Sequence, residues 1–514
     1  MIFVGYSLFL HNQVQGKMKK LSKNRASRPK YVSNNQLTLD GFESPFDKKL
    51  NPENRWVKLS NALPWDDLVS IYRKHFPEKE MGRPDLSPRL VLGAIIIKHM
   101  CDLDDRETVE QISENIYMQY FLGYSSFCDT APFDASLFVE FRKRLGLEQI
   151  NALNERILQT KLQMEAKKTS DKKKDQANND EDSVSHKGSL IIDATACPQD
   201  IAFPTDLNLL NDAREKLEQL MDFVFDYSTL DQKPRNYREI ARKEYLKVAQ
   251  KKSKTRKDIR SSIRKQLAYV GRNISIVNKM LDHCETIPFD KSQYKYWFVI
   301  QHLFEQQKTM FINNTHTVED RIVTIHQPHV RPIVRGKSNA KVEFGAKINV
   351  SLVDGFSFLD DHSWDAYNEG TRLKDCVEKY KSRFGYYPLE VLVDKIYCTR
   401  VNRAYLKELG IILKAKPLGR PSKQALSNQV SPGERNPIEG KFGQAKTAYG
   451  LDRIKARLAD TSESWVASII LVLNLVNLAE LVQYCLKIIL SKILSIHQNY
   501  FSNRKYSNLV QIRV

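Results

Sequence analysis

"SLIIDATACP" occupies residues 189–198, directly after "KKTSDKKKDQANNDEDSVSHKG" (167–188), a charged stretch with no apolar period that reads as a linker. Leu190–Ile192 is a continuous apolar run, as expected of a buried strand, and it ends on an acid, Asp193. "LEVLVD" (389–394) has the same form and ends on Asp394. "RIVTIHQ" (321–327), "EFGAKINVSLVDG" (343–355) and "IILKAKP" (411–417) are strand-like, whereas "TRLKDCVEKYKSRFG" (371–385) and "RAYLKELG" (403–410) are helical. Strands alternating with helices predict an α/β domain with a partly parallel sheet. The mostly helical region 206–320 interrupts that alternation.

Outward from this core, residues 1–55 are polar and basic, an expected loose arm, within which Met18 is an alternative start. Residues 56–150 read as compact and helical. "LSPRLVLGAIIIKHM" (86–100) offers Ser87 as N-cap and Pro88 at the first helical position. "DDRETVEQISENIYMQYFLG" (104–123) puts Val109, Ile112, Ile116 and Tyr120 on one stripe of a single helix. "FDASLFVEFRKRLG" (133–146) ends in Arg142, Lys143 and Arg144, and three short helices ending in a basic one resemble a helix-turn-helix module as well as an ordinary bundle. A region 461–514 of C-terminal helices closes the chain. Its greasy part, "WVASIILVLNLVNLAELVQYCLKIILSKIL" (465–494), is interrupted by Asn474, Asn477 and Glu480, which favours a buried helix over a membrane span.

The 514 residues carry 80 basic and 61 acidic side chains, a formal net charge of +19. Arg235–Arg272 alone holds 14 Lys/Arg and 3 Asp/Glu, a net of +11, an electrostatic footprint for a polyanion such as nucleic acid. Seven cysteines form no C-x-x-C pair, which speaks against zinc sites and a disulfide framework and fits a reducing cytoplasm. "HQPH" (326–329) has ligand-like spacing without a partner cluster and reads as structural.

A third acid lies in "NPIEGKFGQAKTAYGLDRIKAR" (436–457). Asn436, Pro437 and Glu439 have the form of a capping box, which would make Glu439 a helix-start residue. Its other reading is as a metal ligand beside a DNA strand. Arg435 at i−4 and Lys446 at i+7 share its face, with Arg453, Lys455 and Arg457 continuing a basic stripe. Asp193, Asp394 and Glu439 brought together would suit a pair of Mg²⁺ ions, which prefer oxygen ligands and serve phosphodiester chemistry.

Taken as a set, "NRWVKLSNALPWDDL" (54–68), "DASLFVEFRKRLG" (134–146), "IIDATACPQDIAFPTDLNLLNDAR" (191–214), "HVRPIVRGKSNAKVEFGAKINVSLVDG" (329–355), "VLVDKIYCTRVNRAYLKELGI" (391–411) and "NPIEGKFGQAKTAYGLDRIKARL" (436–458) resemble the DDE transposases of bacterial insertion sequences, within the group numbered five. The resemblance runs from about Trp56 to Leu481. It implies a ribonuclease H-like mixed-sheet catalytic core over 189–460 with a large helical insertion, about 206–320, preceded by an all-α N-terminal DNA-binding domain; residues 151–188 then join the two as a helix end and linker. It also implies that Asp193, Asp394 and Glu439 are the catalytic, metal-holding triad for two Mg²⁺ ions, with Mn²⁺ able to substitute. Arg435, Glu439 and Lys446 fit the Arg-Glu-Lys spacing of a signature in related transposases, while Pro432 stands where its tyrosine belongs and Tyr449 lies nearby. Arg335, Lys337, Arg435, Lys446, Arg453, Lys455 and the Arg142–Arg144 run are the implied DNA contacts. The implied activity is cleavage at terminal inverted repeats and transfer of the freed 3′-hydroxyl to target DNA. A homodimer would pair the two ends in the cytoplasm, at the nucleoid and away from any membrane. Two alternatives keep part of this: a structure-specific nuclease with the same fold, and a catalytically silent DNA-binding derivative.

Overall fold

The computed structural model describes residues 49–78, 85–172, 186–334, 342–415 and 433–480, excluding the side chains of 164–172. Its contacts divide the chain into two units: residues 1–144, 156–171 and 474–514, and residues 145–155 and 172–473. The first unit is helical where described: α1 (Arg55–Ala62), α2 (Trp65–His75), α3 (Pro88–Met100), α4 (Asp105–Glu114), α5 (Ile116–Phe121) and α6 (Leu137–Arg144). The next helix, α7 (Leu147–Lys172), is shared by both units, so the expected linker at 167 begins inside a helix. The single helix expected over 104–123 is two. Asn115 breaks it: its backbone is extended, and its side chain caps α5 by accepting from the Tyr117 and Met118 N–H groups.

Aromatic packing holds this unit together. Phe121 contacts Trp56 and Trp65 with ring centroids 5.3 and 5.2 Å apart. Arg89, 1% exposed, lies over the Trp65 ring and spends its donors on the Phe121 carbonyl and the Ser60 hydroxyl, so the buried guanidinium is satisfied.

The second unit is built on β1 (Ser189–Pro198). Four helices follow it: α8 (Asp206–Phe225), α9 (Arg238–Ala249), α10 (Arg256–Leu281) and α11 (Lys291–Asn313). Thr255 and Asp290 make full capping boxes on α10 and α11. Leu210, Leu217, Val270, Val277, Ile300 and Leu303 form part of one apolar core among the helices. Four helices packed on a shared core thus lie between β1 and β2.

The chain then returns through β2 (Arg331–Val334), β3 (Val342–Val353) and β4 (Phe356–Ser363). "RIVTIHQ" is irregular, not a strand. After β4 come a 3₁₀ turn (Glu369–Arg372), α12 (Leu373–Phe384), β5 (Glu390–Leu392), a second 3₁₀ turn (Lys395–Tyr397), α13 (Arg400–Glu408), β6 (Ile412–Lys414) and α14 (Asn436–Tyr449). The last helix among the described residues, α15, spans Ala459–Glu480; by length and composition it qualifies as a membrane span, but most of it is buried within the protein.

The mixed sheet runs β2–β3–β1–β5–β6, with β4 also on β3. β1 is antiparallel to β3 and parallel to β5, and β6 is parallel to β5. β1 continues to Pro198, so Asp193 lies within the strand rather than at its end. α12 packs on β1 and β4, α13 on β6, and α14 on β1.

Candidate active site at Asp193 and Asp394

The pleat of β1 decides where Asp193 points. Leu190 and Ile192 are buried on one face, so Asp193 projects to the other, beside Val350 of β3 in the pairing register. Asp394 lies two residues beyond β5, at the N-cap of the Lys395–Tyr397 turn, and makes no side-chain cap bond. Its carboxylate is left for another partner. That partner is Arg435, immediately before α14, whose Nη2 lies 3.1 Å from Asp193 Oδ2 and whose Nη1 lies 3.3 Å from Asp394 Oδ1. Two acids 201 residues apart in sequence thus meet on one guanidinium.

The electrostatics at this point are strained in one direction. Burial pushes Asp193 up to about 6. Arg435 and the Ala194 N–H, 2.9 Å from Asp193 Oδ1, pull it down, while Glu369 and Asp394 push it up again. Glu369 went unnoticed in the sequence. It belongs to the 3₁₀ turn after β4 and pairs at 2.9 Å with Lys347 of β3. No local motif marks either residue; only the fold brings the pair beside Asp193.

Glu439 lies in the first turn of α14, exposed to solvent, one turn beyond Arg435. The helix starts at Asn436 with Arg435 as N-cap and without a side-chain cap bond, so the capping-box form of "NPIE" is not used. Among the described residues no three His, Cys, Asp or Glu side chains lie close enough to hold a metal ion. The donor chemistry nonetheless fits a divalent cation. Asp193 and Asp394 offer only oxygen, and their mutual charge is already met by a cationic group.

The basic residues separate into those near this point and those elsewhere. Lys446 is half-buried in the last turn of α14. The helix ends at Tyr449 with Gly450 in the left-handed region, so Arg453, Lys455 and Arg457 do not extend a helical stripe. Arg453 instead pairs with Asp200 at 3.0 Å, and Lys455 is exposed. Arg335, Lys337 and Pro432 fall outside the described residues. In the helical unit Arg142 is 5% exposed and grips Asp105 with both Nη atoms at 2.8 Å, so its guanidinium is engaged inside the protein. Lys143 pairs with Glu140, and Arg144 approaches Asp85 at 4.0 Å. Of the two histidines in "HQPH", His326 bonds the Tyr296 hydroxyl at 2.9 Å and His329 packs edge-on to Trp364.

Comparison with known proteins adds two family matches. Residues 44–144 match the model described as Transposase domain (DUF772), and residues 391–476 match Transposase DDE domain, a span containing Asp394, Arg435, Glu439 and Lys446. An uncharacterised protein of Rhizobium meliloti, ORF8 in the nfe locus, is 30% identical over 193 residues, which is 38% of this chain and 83% of that protein. No solved structure matches the chain at a significant level. With two transposase models matched in chain order, the protein belongs to the DDE transposases of insertion-sequence type.

Proposed function

We propose that the chain binds the terminal inverted repeats of its element, cleaves DNA there with Mg²⁺, and joins the freed 3′-hydroxyl to target DNA. The observation that carries this reading is the meeting of Asp193 and Asp394 on Arg435. Support comes also from the sheet, whose central β1 is flanked antiparallel by β3 and parallel by β5, an order compatible with a ribonuclease H-like core. In this reading 56–150 is the DNA-binding domain, 189–460 the catalytic domain and α8–α11 its insertion.

Asp193 and Asp394 would hold Mg²⁺, or Mn²⁺ in its place, with Glu439 completing the set when α14 closes on DNA. Bound there, the ions supply Lewis acidity at the phosphodiester. The chain's own contribution is placement. Arg435, relieved of neutralising two carboxylates, is free to hold a phosphate beside the scissile bond, and Lys446 extends the same helix toward the strand. Arg242, Lys243, Lys247, Lys252, Lys254 and Arg256 are exposed on the insertion and would grip flanking DNA. Two chains would pair the two ends, in the cytoplasm at the nucleoid.

The test is cleavage of plasmid carrying the native element with its flanking DNA. Asp193→Ala, Asp394→Ala and Glu439→Ala should each lose Mg²⁺-dependent cleavage while retaining end binding in gel shifts. Wild-type rates in any of the three would remove that residue from the site. One observation favours another reading: with Arg435 already neutralising the acids, the chain would be a DNA-binding derivative without turnover. That reading requires no cleavage by the wild type in either Mg²⁺ or Mn²⁺.

A further inference from the structure

Asp394 sits on a loop after a strand only three residues long, and buried hydrogen bonds tie that loop to the sheet. Tyr397, fully buried, donates from its hydroxyl to Asn349 Oδ1 at 2.7 Å. Asn349 belongs to β3, is itself fully buried, and pairs in register with Ala194, the residue after Asp193. Its other amide atom, Nδ2, donates to Cys376 Sγ at 2.9 Å, which fixes the orientation of the amide. The same 3₁₀ turn closes on itself through the Tyr397 N–H, 3.1 Å from the Asp394 carbonyl.

A second tie comes from α13. Asn402, 6% exposed, donates from Nδ2 to the carbonyls of Tyr397 at 2.8 Å and Gly370 at 2.6 Å. It thereby joins the Asp394 loop to the turn that carries Glu369. That turn packs so closely that a Cβ on Gly370 would stand 2.7 Å from the Ile396 carbonyl, leaving no room for a larger residue. From Asp193 through Ala194, Asn349 and Tyr397 to Asp394, the two acids are linked by backbone pairing and buried hydrogen bonds.

We propose that Tyr397 and Asn402 are positioning residues, a buried bracket that sets Asp394 against Asp193 for a shared divalent cation. The proposal rests on the reading of these aspartates as cation ligands. The physical reason is that Mg²⁺ requires near-ideal octahedral geometry, so ligands on separate elements must be held before the ion arrives. Removing a supporting partner of a ligand typically costs about 10–100-fold in metal affinity or activity.

The test is Tyr397→Phe, which keeps the ring and deletes only the bonding hydroxyl, in the full chain. Two measurements read it: the Mg²⁺ concentration for half-maximal cleavage, and the rise in melting temperature that Mg²⁺ gives to DNA-free protein. Positioning predicts a half-maximal concentration about tenfold higher with the maximal rate largely recovered at high Mg²⁺. It also predicts a smaller Mg²⁺-induced rise in melting temperature. If Tyr397→Phe does not fold, Asn402→Ala removes the second tie alone and is read identically. A merely structural role would lower the melting temperature and the rate without moving the Mg²⁺ dependence, and that result overturns the proposal. Asp394→Ala run alongside separates the two claims. If it keeps wild-type cleavage and the wild-type Mg²⁺ response, the cation-site reading itself fails. If it loses both while Tyr397→Phe changes neither, only the bracket fails.

Discussion

Asp193 has a folded-state value near 6 because burial disfavours its charge more than Arg435 and the Ala194 N–H restore it. The sign follows directly. An acid raised on folding is more readily protonated in the native state, so its ionisation costs stability as pH rises from about 4 to about 6. Asp193→Asn should therefore stabilise metal-free protein above pH 6, by up to about 3 kcal/mol, with the gain vanishing near pH 4; chemical denaturation at the two pH values measures it. An equal effect at both would place the proton elsewhere. Cleavage should fall below pH 6 as the proton competes for this carboxylate, and added Mg²⁺ should move that limb to lower pH. Arg435→Ala should leave the two carboxylates facing each other without a cation, so Mg²⁺ should raise its melting temperature more than it raises that of the wild type. Asp193 and Asp394 stood out in the sequence because each ends an apolar run. Glu369 and Lys347 were not, since no local pattern announces a pair assembled by β3 and a turn over 20 residues later in sequence.

At the level of elements, sequence patterns located most helices and strands but misjudged several edges. Asp193 reads as a strand end because a charge usually stops an apolar run, yet β1 continues because Ala194–Cys197 still pair with β3. β4 was missed although Asp354-Gly355, both at positive φ, make the two-residue turn that joins it to β3. In the N-terminal helices the basic run Arg142–Arg144 looked like a DNA-facing surface, but charge patterning cannot reveal that Asp105, 37 residues earlier, captures Arg142. Arg142→Ala should accordingly destabilise the fold by about 1–3 kcal/mol, since Asp105 loses this bidentate partner but keeps Lys98 at 2.9 Å. Lys143→Ala should change stability by less than about 0.5 kcal/mol. Thermal unfolding of both variants decides, and equal small effects would return Arg142 to the surface. On the insertion, charge reversal at Arg242, Lys243 and Lys247 should weaken binding to any DNA sequence alike and flatten its salt dependence by about one unit of slope per lost phosphate contact.

Across the whole molecule the 514 residues carry a net charge of +19, while within the sheet-bearing unit Asp193 and Asp394 meet on Arg435. The separation of Asp193 from Asp394 was readable only as a distance along the chain, since the parallel pairing of β5 with β1 is a three-dimensional fact. The central proposal is that these acids, with Glu439, share divalent cations. Titration of Mn²⁺ into the DNA-bound protein, followed by the loss of the free-ion electron paramagnetic resonance signal, measures that directly. Two bound ions in the wild type, and weakened binding or loss of at least one in each of Asp193→Asn, Asp394→Asn and Glu439→Gln, are the predicted results. Undiminished Mn²⁺ binding in Asp193→Asn or Asp394→Asn would contradict it.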